Sequence, residues 1–198
     1  MPVKKIFFDI DTQRDFMLPD GALYVPGAEE LIPALLELKR YAIDHKILLF
    51  SSMDIHAEDD PEFCDFPPHC IKGTPGHEKI PETLAENRFL VGLEAIEEFD
   101  PLMYDQVIIQ KAMHSIFTNP NTDMILNRLK PSAIYIYGVA TEIGVKEAVL
   151  GALTRGYTVY VLQDAIKAVN PEDGERIIFE MKQRGASLIK GGDVLVEP

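Results

Sequence analysis

Cysteine occurs only twice, at Cys64 and Cys70. That is too sparse for a disulfide-stapled scaffold, and a chain of 198 residues can bury a core large enough not to need one. The two thiols share one loop and are expected to stay reduced. Positive charge is also scarce: 19 Lys and Arg against 32 Asp and Glu leave a formal net charge of −13. Such a field repels phosphate backbones and anionic lipid, so neither nucleic acid nor a membrane surface is an expected partner. Long apolar runs are missing as well, and none approaches the roughly 18 residues of a membrane span. The start, Met1-Pro2-Val3-Lys4-Lys5, leads into a short apolar strand rather than a signal-peptide core, which predicts a cytoplasmic protein. Residues 1–198 are expected to form a single domain.

What is present is alternation. Apolar β-rich runs end in polar loops and take turns with helical patterns, the mark of βαβ units building a parallel sheet. Residues 6–10 read as the first strand and 47–50 as the second. Between them, 26–45 place Leu31, Ala34, Leu35, Leu38 and Tyr41 at helical spacing, with Glu29 and Glu30 in the dipole-favoured first turn and Pro33 early enough to be tolerated. A Pro-rich acidic loop over 52–81 is long enough to suggest function. Residues 107–109, 133–137, 157–162 and 187–189 read as four further strands, and 121–129 and 171–184 as helices. Another helix starts at Thr141 as its cap and runs to Arg155, with Gly156 as its stop signal. The stretch 82–105 has weak periodicity and receives no element. The expected fold is therefore α/β: a three-layer, Rossmann-like α/β/α arrangement around a six-stranded parallel sheet.

In an open parallel sheet, ligands bind beyond the carboxyl ends of the strands. Polar residues there are Asp11-Thr12-Gln13-Arg14-Asp15-Phe16; Asp54 and His56 with His69 further along the same loop; Lys111 with Ser115 and Phe117; and the turn at 138–145. In this order the segments resemble the isochorismatase-like (cysteine hydrolase) superfamily, its nicotinamidase branch above all. Residues 11–16 resemble D-x-Q-x-D-F, and 21–33 resemble G-x-L-x-V-P-G-A-E-x-x-x-P. Residues 67–74 are similar to W-P-x-H-C-V-x-G-T, 111–117 to K-x-x-x-S-x-F, and 138–145 to G-x-A-T-D-x-C-V.

The resemblance implies a triad in which an aspartate deprotonates a thiol and a lysine steadies the developing charge. Asp11 and Lys111 match, but Gly144 occupies the cysteine position, and glycine cannot form an acyl-enzyme. Cys64 and Cys70 belong to the loop segment and do not replace it. One branch, the isochorismatases proper, resembles this chain in carrying Gly there, and its vinyl ether hydrolysis needs a proton donor and water rather than a protein nucleophile. Asp9 and Asp11 lie two apart on a strand, so a shared face is expected to raise the pKa of one of them and suit Asp11 to acid chemistry. The resemblance also implies a cis peptide bond between Val139 and Ala140, with Ala140 contributing to an oxyanion hole, and places Phe16, Gln13 and Val139 at the substrate. The D-x-H pair Asp54 and His56, with His69, resembles a metal site that holds a substrate's ring nitrogen. Its mixed N/O donors suit Zn, Mn or Fe, with Glu62 as a candidate fourth ligand.

Blander roles are set beside these. Gln13 and Asp15 suit loop shaping, Asp9 a structural hydrogen bond, and Glu58, Asp59 and Asp60 a solvated acidic run. Gly144 suits close packing at a helix start. Three functions follow: a hydrolase using water, activated by Asp11 or the metal, on a small nicotinamide- or isochorismate-like ring; a ligand-binding pseudoenzyme; or a nicotinamidase whose cysteine was replaced. Family members commonly assemble, so a homo-oligomer binding a small molecule is the expected state.

Overall fold

The computed structural model describes residues 5–195; most of the lysine-bearing start discussed above lies outside them. Seven strands make one sheet: β1 (Lys5–Ile10), β2 (Leu49–Asp54), β3 (Arg88–Val91), β4 (Gln106–Lys111), β5 (Ala133–Val139), β6 (Val159–Lys167) and β7 (Ser187–Ile189). Their order is β3-β4-β2-β1-β5-β6-β7, and every pairing is parallel. The helices are α1 (Arg14–Met17), α2 (Ile32–Asp44), α3 (Pro120–Leu129), α4 (Lys146–Thr154), α5 (Pro171–Gln183) and α6 (Gly191–Leu195).

Burial explains the strand composition. In β2 and β4 every residue is buried, and in β1 every residue after Lys5. A parallel strand covered on both faces loses the alternation of a half-exposed one. The rings of Phe8 and Phe50 on neighbouring strands meet at 5.0 Å between centroids, part of a continuous apolar core. β5 lies against β1 in register Ile10 to Gly138, and Gly138 has φ +119. A β-carbon there would collide with the backbone of Ile10, so only glycine permits this approach.

The sheet departs from expectation in having seven strands rather than six. The additional one, β3, lies in the stretch that received no element. It is a four-residue edge strand with Arg88 and Leu90 exposed, too short and too open to leave an apolar run. β2 also runs on to Asp54, and β6 to Lys167, beyond the polar residues that suggested earlier ends. Thr141 is not a cap. Ala140 is the extended residue before a π-helical turn, Thr141–Val145, that precedes α4. Pro33 sits at the start of α2, and Asn119 and Asn170 cap α3 and α5 with their side-chain oxygens. Chain order reverses beside β1: the strands up to β4 lie on one side of it and β5 on the other. The crevice past the ends of β1 and β5 is therefore where this topology offers a site.

Candidate functional site

Asp11 follows β1 directly, in a left-handed conformation at φ +50. That turn breaks strand alternation, so Asp9 and Asp11 do not share a face as expected. Asp9 instead lies 3.0 Å from Lys79 Nζ and accepts from Thr12 and Ser51, a buried structural cluster. Asp11 accepts from Ser52 Oγ at 2.6 Å through Oδ1, and its Oδ2 lies 3.0 Å from Lys111 Nζ. Lys111 ends β4, is 1% exposed, and also donates to Asp54 Oδ1 at the end of β2.

Two carboxylates thus share one ammonium. Burial alone would lower the Lys111 pKa, but Asp11 and Asp54 reverse this and hold it above that of an ordinary lysine. For Asp11, burial raises the pKa most; Asp54 adds to the rise, and Lys111 and Ser52 oppose it without cancelling it. The like charge at Asp11 is therefore Asp54, not Asp9.

Gly144 closes the arrangement. A β-carbon built on it would run into Asp11 Oδ2 and stand 3.0 Å from Ile10 Cγ2 and 3.3 Å from Val139 O. The carboxylate oxygen itself takes up the space that a side chain at this position would enter. The Val139–Ala140 peptide bond is cis. Val139, Ala140 and Gly144 line a narrow cavity with Asp11, Lys111 and the apolar side chains of Phe16, Leu23, Val25, Phe66, Ile143 and Val169.

The histidine loop supplies the neighbouring wall. One ligand atom each from Asp54, His56 and His69 lies within 4.8 Å of the others, and all three residues are buried. His56 Nδ1 is 3.0 Å from Asp60 Oδ2, and His69 Nδ1 is 2.8 Å from the Pro67 carbonyl. Both partners are acceptors, so each Nδ1 donates and Nε2 is the nitrogen of each ring left to face a ligand. His56 Nε2 is buried with no hydrogen-bond partner among the described residues. A buried nitrogen left unpaired in this way is costly unless something binds it, and a divalent cation fits the donor set.

Several residues take roles other than those expected. Asp60, assigned to a solvated run, holds His56, and its own pKa is lowered by the Glu62 amide and then by His56. Its signal was the i,i+4 spacing from His56, readable only once the turn at Pro61–Cys64 is known. Gln13 does not line the cavity: its amide donates to the carbonyls of Asp54 and His77 and accepts from Asp54 N, tying the histidine loop to β1. Ser115 accepts from the Phe117 amide, and the Phe117 ring packs beneath Arg155 at 3.9 Å. His114 was not anticipated. Its Nε2 is 3.5 Å from Glu62 Oε1, which also lies 3.9 Å from His69 Nε2, at the cavity mouth. Cys64 and Cys70 are free thiols, and burial pushes the Cys70 pKa far up, leaving it inert.

Comparison with known proteins follows the same lines. Residues 5–193 match the model of the isochorismatase domain. The nicotinamidase of Escherichia coli is 27% identical over 212 residues, covering 95% of each chain. An isochorismatase family protein of Bacillus subtilis is 28% identical over 174 residues, 86% of this chain and 90% of that one. The crystal structure of a pyrazinamidase of Pyrococcus horikoshii in complex with zinc superposes with a TM-score of 0.79 at 34% identity, covering 94% of this chain and 99% of the other.

Proposed function

The chain belongs to the isochorismatase family, and from that premise we propose that it is a hydrolase that attacks a small, neutral, cyclic amide-like substrate with water rather than with a protein nucleophile. The observation that carries this is that Asp11 Oδ2 occupies the place where a Gly144 side chain would begin, so a carboxylate rather than a nucleophilic side chain faces the cavity there. A water molecule in the cavity beside Asp11 is within reach of that carboxylate, which can take its proton. Lys111, held charged, balances the negative charge that develops as the water attacks. The amides of Ala140 and Gly144 stand at the same wall, suited to a tetrahedral oxyanion.

Electrostatics bear on the substrate. The cavity is bordered by Asp11, Asp54 and Glu62, and its one Lys is already spent on the first two. No lysine or arginine among the described lining residues is left for an anionic ring, which favours a nicotinamide-like substrate over an isochorismate-like one. The flat apolar walls suit a ring. Asp54, His56 and His69 would hold a divalent ion, with Glu62 at the mouth beside them, and such an ion when bound supplies a Lewis acid for a ring nitrogen.

A second reading, a ligand-binding pseudoenzyme, is favoured by the missing nucleophile itself. Incubation with nicotinamide separates the two. Ammonia release by the wild type that is lost in Asp11→Asn supports the hydrolase. Saturable nicotinamide binding without ammonia supports the pseudoenzyme. Pyruvate from isochorismate would overturn the neutral-substrate claim.

A further inference from the structure

A second cavity, of about 510 Å³, lies apart from the site just described. Its volume falls within the roughly 300–1,000 Å³ of small-molecule pockets. The floor is apolar: Met53 from β2, Ile108 from β4, Leu90 from β3, and Leu84 from the loop before it. Met53 stands between Ser52 and Asp54 in β2, so it points to the sheet face opposite theirs, and the two cavities occupy different faces. Leu90 pairs in register with Ile108 yet is 51% exposed, because nothing among the described residues covers this end of the sheet.

The rim is cationic. Arg14, Lys79 and Arg88 line it against a single acid, Glu78, in a chain where acids outnumber bases 32 to 19. Lys79 is spent on Asp9. Among the described residues Arg14 has only a loose partner, Asp20 at 3.8 Å, and Arg88 bonds through one nitrogen to the Ala85 carbonyl, which leaves its other donors for a ligand. We infer that this cavity binds a small organic anion with an apolar body, such as an aryl carboxylate, its ring on Met53, Leu90 and Ile108 and its carboxylate between Arg14 and Arg88. Two arginines favour a carboxylate's paired oxygens. The apolar floor disfavours a bare hydrated ion, and the cationic rim disfavours a neutral ring.

The test uses the full chain with benzoate as probe, benzyl alcohol as its neutral, non-hydrolysable counterpart and acetate as the anion without a ring, followed by methyl NMR. Saturable benzoate shifts at Met53, Leu90 and Ile108 are expected, with benzyl alcohol and acetate weaker by about tenfold or more. The double variant Arg14→Gln, Arg88→Gln should lose benzoate affinity by a similar factor. Equal binding of benzoate and benzyl alcohol at these three residues would overturn the proposal even if that variant failed to fold. So would the absence of saturable benzoate shifts, or shifts confined to Val139 and Ile143 in the other cavity.

Discussion

Lys111 Nζ lies 3.0 Å from Asp11 Oδ2 and holds Asp54 at the same time, so the residues that end β1, β2 and β4 are joined by one buried ammonium. Removing one partner of such a group leaves uncompensated charge in the interior. Lys111→Met should therefore lose about 3 kcal/mol or more of stability, visible as a lower denaturant midpoint. A midpoint equal to wild type would mean that the two carboxylates do not depend on the lysine.

The pH profile follows from Asp11. A base must be ionised, and burial reinforced by Asp54 places its pKa above the ordinary 3.8 despite Lys111. Lowering the pH through that raised value protonates Asp11 and switches off water activation. The acid limb of kcat/KM is therefore expected above the usual carboxylate range, flat on its high-pH side until another group titrates. Stability has the opposite sign. A folded-state pKa above the unfolded one means that the Asp11 proton favours folding at low pH, and this contribution is lost as pH rises through the folded value. A rate that instead falls with rising pH across the Asp11 titration would make it an acid rather than a base.

Metal retention tests the histidine loop. Protein purified without chelator should carry about one divalent ion per chain, and His69→Ala should carry almost none. Asp60→Asn keeps all three donors but weakens the hold on His56 Nδ1, so affinity is expected to fall by about 10- to 100-fold, read by competition with a chromophoric chelator. Unchanged affinity in Asp60→Asn would reduce Asp60 to a loop residue.

Much of this was legible in the sequence because strand ends mark sites in a parallel sheet. Asp54 and Lys111 each stand where an apolar run meets its first charge and Asp11 directly follows the last apolar residue of the first run, and the sheet brings the three together as those positions require. What stayed hidden depends on contacts between segments that local pattern does not encode. Gln13 looks like a substrate contact until its amide is seen spent on Asp54 and His77. Asp60 looks solvated until a short 3-10 turn brings its carboxylate to His56. β3 escapes because an edge strand of four residues with two side chains in solvent has no hydrophobic signature.

Gly144→Ala probes the space at the π-helical turn. The added carbon meets Asp11 Oδ2, and Asp11 is held by Ser52 and Lys111, so the carboxylate must leave its position. A displacement on the order of 1 Å at a reacting group costs about 100-fold in rate, so kcat should fall by about that factor while metal content stays unchanged. Wild-type turnover in Gly144→Ala would show that the rate does not depend on where Asp11 is held.

The absence of a covalent intermediate is tested most directly by intact-protein mass spectrometry of samples quenched during nicotinamide turnover. The account predicts ammonia release by the wild type with the protein mass unchanged at every time point. An acyl adduct on the wild-type chain, on Asp11 or any other side chain, would contradict it.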